Sequence, residues 1–106
     1  MVSLHTTFFS NNTYGRILRV TTITFESNEA ADSAVKSYAE TAPTDFPEAE
    51  QHLGIHADGN TGIYVSLYAD NEAIERATAT RGKALASIQG IVSVDTKVGT
   101  VELNCL

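Results

Sequence analysis

"TFESNEAADSA" at 24–34 and "LYADNEAIERA" at 67–77 are two versions of one local plan. They align at an offset of 43 residues, 67 against 24. Phe25 matches Tyr68, Ser27 matches Asp70, and Asn-Glu-Ala recurs intact. In each copy an aromatic residue closes an extended run. A Ser or Asp then stands where its side-chain oxygen can accept a hydrogen bond from the open N–H groups of a new helix. Each copy is therefore a strand leading through a cap into a helix.

Working outward from these copies gives the remaining elements. Residues 16–26, "RILRVTTITFE", are rich in β-branched residues and free of Gly and Pro, which predicts a strand. After Ser27, Ala31, Ala34, Val35 and Tyr38 fall at i, i+3, i+4 and i+7, the spacing of a helix stripe. "TAPTDFPEAE", with Pro43 and Pro47, is expected to end that helix and form a loop. "QHLGIHA" and "IYVSLYA" flank the turn residues "DGNTG" and predict a hairpin. Asp70 caps a second helix whose face carries Ile74, Ala77, Leu85 and Ile88. Gly82 weakens it by about 1 kcal/mol relative to Ala, and Gly90 is a natural stop. "IVSVDTKV" is a further strand. Beyond it the apolar positions change phase across Gly99, which predicts a bulge or turn there. The order β-α-β-β-α-β is the ferredoxin-like one: an α+β fold with an antiparallel sheet and both helices on one face.

Side chains alternate across a strand. Ile63, Val65, Leu67 and Ala69 share one face, all apolar, and are expected under the helices. The other face is then open, with Tyr64, Ser66 and Tyr68. The 43-residue offset adds Thr21, Ile23 and Phe25 to it, and Arg19 follows in phase. In the histidine strand, Leu53 and Ile55 are expected inward and His52, Gly54 and His56 outward. A two-residue Asp58–Gly59 turn would set Leu53 across from Tyr64, on the wrong face. A hairpin loop with an odd number of residues sets it across from Val65, so an odd loop is predicted.

His52 and His56 cannot share one metal ion on this strand, since four residues span ~13 Å. Only a helix brings an i, i+4 histidine pair together. No metal site is expected. Either histidine remains a candidate catalytic base acting singly.

Composition narrows the function classes. One domain is expected from 106 residues, 42% of them hydrophobic, with residues 1–15 as an N-terminal arm or extra edge strand and 16–106 as the domain. The net charge is −6 and the seven Lys and Arg are scattered, which argues against nucleic acid as a partner. The fragment "GIYVSLY" is a poor match to an RNA-binding strand, because its tyrosines stand four apart with Ser66 between them. There is no signal-peptide pattern and no run of ~20 apolar residues, so a cytoplasmic protein without membrane contact is expected. The single cysteine, Cys105, reads as a reduced thiol. Asp58–Gly59–Asn60 reads as turn chemistry, since a calcium loop would need a downstream glutamate that is missing.

The element order, the chain length and the segment "GIHADGNTGIYVSLYADNEAIERA" resemble the dimeric α+β barrel superfamily, especially its antibiotic biosynthesis monooxygenase-like branch. The resemblance covers residues 16 to 106. It implies a homodimer that packs sheet to sheet and a pocket in each half. It also implies activities that range from cofactor-free oxygenation to haem degradation and isomerisation. This chain has no tryptophan, which the branch often carries near the position of Tyr68 or Ala69. No catalytic residue is carried over, and no cofactor is expected.

Two functions follow for the predicted open face. In one, a homodimeric enzyme takes a small, partly aromatic molecule. Phe25, Tyr64 and Tyr68 pack it, Thr21, Ile23 and Ser66 complete the face, Arg19 holds an anionic group, and His52 or His56 moves a proton. In the other, the same face is a dimer interface or a binding pocket without turnover.

Overall fold

The computed structural model describes residues 15–102. Six elements follow one another: β1 (Ile17–Phe25), α1 (Asn28–Asp45), β2 (Gln51–Ala57), β3 (Thr61–Tyr68), α2 (Asn71–Ser87) and β4 (Ile91–Thr100). The strands form one antiparallel sheet in the order β2-β3-β1-β4. This is the predicted β-α-β-β-α-β arrangement. Residues 1–14, with most of the N-terminal arm and His5, lie outside the described residues. So do residues 103–106, with Cys105.

The two caps behave alike, as the repeat requires. Ser27 is extended at φ −155° and accepts a hydrogen bond from Ala30 N at 3.0 Å. Asp70 is extended at φ −161° and accepts from Ala73 N at 2.9 Å. Phe25 and Tyr68, two residues before each cap, are both buried.

Three local expectations change. First, α1 does not stop before Pro43 but continues to Asp45, with Pro43 inside it. Proline removes one N–H, and only two residues of helix follow, so few backbone bonds are disturbed. Phe46, expected in the loop, is buried and its N–H closes the helix on Ala42 O at 2.8 Å. Second, pairing runs without a break through Gly99, opposite Leu18. The irregularity lies at the other end of β4, where Thr24 pairs with Ser93 and Phe25 with Ile91, leaving Val92 as the extra residue. Third, the sheet faces are inverted. The face with Ile23, Phe25, Tyr64 and Tyr68 lies under the helices. The face with Leu53, Ile55, Ile63 and Val65 is the open one. On it, Leu53 and Ile55 are 51% and 48% exposed.

Residue size explains the inversion. The buried helix positions are small: Ala31 and Ala42 on α1, Ala73 and Ala77 on α2. Large aromatic side chains fit against small ones. Branched aliphatic residues on the other face have no helix to meet.

The predicted odd hairpin is present. Ala57 pairs with Thr61 and Leu53 with Val65, so three residues form the loop. Asp58 at φ 45° and Gly59 at φ 71° are both left-handed, and Asn60 N donates to Asp58 O at 2.7 Å. A Cβ on Gly59 would also approach Asn28 Oδ1 to 2.9 Å.

Candidate functional site

Between the sheet and the two helices lies a cavity of about 710 Å³. That is within the usual range for small-molecule sites. β1 supplies Arg19, Thr21 and Ile23, and β3 supplies Tyr64, Ser66 and Tyr68. Tyr38 comes from α1, and Arg81, Leu85 and Ile88 from α2 and its end. Six of the seven residues predicted for one ligand face therefore line one cavity. The seventh, Phe25, is buried in the neighbouring core. These residues share one sheet face, but it is the face toward the helices and not the open side.

Two polar clusters hold this lining in place. In the first, Arg19 Nη2 donates to Tyr68 OH at 2.9 Å, and its guanidinium carbon lies 5.3 Å from that ring's centroid. Arg81 Nη2 reaches across from α2 and donates to Thr21 Oγ1 at 3.1 Å and Thr96 Oγ1 at 2.7 Å. Burial lowers the Arg81 pKa, and the neighbouring positive Arg19 lowers it further.

The second cluster joins Tyr38, His52 and Ser66. Tyr38 OH lies 2.9 Å from His52 Nδ1 and 3.2 Å from Ser66 Oγ. His52 Nε2 lies 3.3 Å from the carbonyl of Phe46, which can only accept. A neutral His52 therefore carries its proton on Nε2, leaving Nδ1 to accept from Tyr38. The Tyr38 ring meets His52 and Tyr64 edge to face, with centroids 5.7 and 4.9 Å apart. Gly54 leaves room beneath it: a Cβ there would lie 3.4 Å from the Tyr38 ring. Burial raises the Tyr38 pKa.

Tyr64 differs from its neighbours. Its hydroxyl is buried with no hydrogen-bond partner among the described residues. Burial pushes its pKa up to about 12, with a smaller contribution from Tyr38. The ring lies over Gly62, where a Cβ would fall 2.7 Å from the hydroxyl oxygen.

The two histidines have separate surroundings. His52 stands behind Tyr38, and neither histidine is on the cavity lining. His56 is exposed near the hairpin turn, bonded to Gly59 O, with Asp32 Oδ1 3.8 Å from its Nδ1. No group of three potential metal ligands occurs among the described residues. No described helix is long and apolar enough to cross a membrane.

Sequence reasoning missed Arg81 and Phe46, and it placed Tyr38 only on a helix stripe. Arg81 belongs to an otherwise scattered set of cations. Its position on the helix face beside Leu85 was the available signal. Phe46 was hidden by the two prolines that flank it.

No protein-family model matches this sequence, and no curated protein matches it. Solved structures do match in shape. One is a monooxygenase from the ActVA-Orf6 gene of Streptomyces coelicolor, in complex with nanaomycin D. It has a TM-score of 0.72 at 14% identity, covering 92% of this chain and 96% of that one. Another is a mutant form of SnoaB, a cofactor-independent oxygenase from Streptomyces nogalater. It has a TM-score of 0.68 at 15% identity, covering 85% and 96%. A third is a dimeric ferredoxin-like protein from an uncultured marine organism. It has a TM-score of 0.69 at 13% identity, covering 89% and 94%. The chain thus has the ferredoxin-like fold, with monooxygenases of that shape among its structural neighbours.

Proposed function

We propose that this chain is a homodimeric small-molecule-binding barrel whose cavity takes a partly aromatic organic compound. The observation that carries this reading is the cavity itself. It combines apolar walls from Ile23, Leu85 and Ile88 with oriented polar groups from Arg19, Tyr38, Ser66 and Arg81. Such a mixture fixes a ligand's orientation while burying its body. The open face supports the dimer. Leu53, Ile55, Ile63 and Val65 form an apolar surface on a sheet whose helices lie on the other side. Sheet-to-sheet packing of two copies would cover it.

Within this reading, the neighbouring oxygenases favour an enzyme of similar kind. The atoms suited to a proton transfer are those of the Tyr38–His52 pair. Tyr38 passes its proton to His52 Nδ1 and takes one from a bound substrate, while His52 Nε2 stays bonded to Phe46 O. Tyr38 is then the catalytic residue that meets the substrate, and His52 acts through it. A second reading, a binding module without turnover, is favoured by the absence of both histidines from the lining.

Native mass spectrometry of freshly purified protein tests the proposal. A dimer of twice 11.4 kDa with extra mass lost on denaturation is the expected result. A monomer would remove the barrel. Given a substrate, His52→Gln should abolish most turnover in the enzyme reading and spare ligand binding in both.

A further inference from the structure

We propose that the cavity recognises a carboxylate, held between the guanidinium groups of Arg19 and Arg81, on an aromatic molecule. This deepens the ligand-binding reading above and rests on it. Arg19 is 7% exposed and has five N–H donors, of which one is engaged by Tyr68 OH. Arg81 is bonded to Thr21, which lies two residues from Arg19 on the same strand face, about 7 Å along β1. Both residues line the same cavity.

Among the described residues, no carboxylate lies within the 4.0 Å salt-bridge distance of either group. The acidic residues on the lining are Glu26, Glu29 and Asp45, and all three are exposed. Two like charges brought together in a partly buried space are unfavourable without a counter-charge. Burial lowers the Arg81 pKa, and the neighbouring Arg19 charge adds to it in the same direction. A carboxylate supplies the counter-charge and matches the planar fork of each guanidinium. Ile23, Tyr64, Leu85 and Ile88 supply the apolar surface for the rest of the molecule.

Calorimetric titration with 1-naphthoate and its uncharged isostere 1-naphthamide separates this proposal from the reading it rests on. The wild-type protein should bind the naphthoate about tenfold or more tightly, the scale of one charge-assisted hydrogen bond. Arg81→Gln should bring the two probes within about threefold of each other, by weakening the naphthoate alone, and Arg81→Lys should retain part of the preference. Arg19→Gln should act in the same direction, with circular dichroism confirming its fold. If it does not fold, the Arg81 variants decide. Equal binding of both probes to the wild-type protein overturns the carboxylate and leaves the cavity reading standing. Binding of neither overturns both. A naphthoate preference that survives in Arg81→Gln places the anion elsewhere and also overturns the proposal.

Discussion

Tyr64 and Tyr68 stand on the same face of β3, yet Phe in place of each should have different effects. Tyr68 OH accepts a hydrogen bond from buried Arg19 at 2.9 Å. Tyr68→Phe removes that acceptor while the ring and its contact with the guanidinium remain. A hydrogen bond to a charged group contributes about 1.5–3 kcal/mol. The cavity beside Arg19 can admit water to replace it, so the expected loss is at the lower end, about 1.5 kcal/mol. For a chain of this size that corresponds to a fall of roughly 6–12 °C in Tm. Tyr64 OH has no partner to lose among the described residues. Tyr64→Phe should therefore be neutral, or stabilising by up to about 1 kcal/mol, since a buried unsatisfied hydroxyl is relieved. Urea unfolding followed by circular dichroism, at one fixed protein concentration, measures both. Equal losses in the two variants, or a larger loss at Tyr64, would refute the hydrogen-bond assignment.

Three further outcomes are expected. Gly62→Ala should destabilise by about 1–3 kcal/mol, because its Cβ would meet the Tyr64 ring and hydroxyl at 2.7–3.0 Å; a thermal melt checks this, and Gly62→Ala/Tyr64→Leu should recover part of the loss. Tyr64 has a folded pKa near 12 against an ordinary value of 10, so the native state holds its proton where the unfolded chain releases it. Stability should therefore fall as pH rises from 10 towards 12, and the alkaline absorbance titration should lose its highest step in Tyr64→Phe. Leu53→Asp or Ile55→Asp on the open face should raise the dimer dissociation constant at least about 100-fold without unfolding the monomer; sedimentation equilibrium reads this directly, and an unchanged dimer would rule out that face as the interface.

Most of the fold was legible because local signals agreed with one another. Ser27 and Asp70 announced both helices, and the odd hairpin followed from keeping Leu53 opposite Val65. The grouping of Arg19, Thr21, Ile23, Tyr64, Ser66 and Tyr68 was also legible, because period-2 alternation fixes which residues share a face. Which face the helices would cover was not. Counting apolar residues favours the Ile63–Val65–Leu67 side, but hydropathy does not register how a tyrosine buries its ring and bonds its hydroxyl to an arginine. The alanine stripes held the missing information, since a helix of small residues calls for large partners. The contacts of Arg81 were illegible for a different reason. Its side chain reaches Thr96 on β4 only once α2 is laid across the sheet, and no sequence period links residues so far apart.

The central claim is that a ligand occupies the space between the helices and the sheet. Intermolecular nuclear Overhauser effects between 1-naphthoate and methyl-labelled protein test it most directly. Contacts to the methyl groups of Ile23, Leu85 and Ile88 are the predicted result. Contacts confined to Leu53, Ile55, Ile63 and Val65 would place the ligand on the opposite face of the sheet and contradict it.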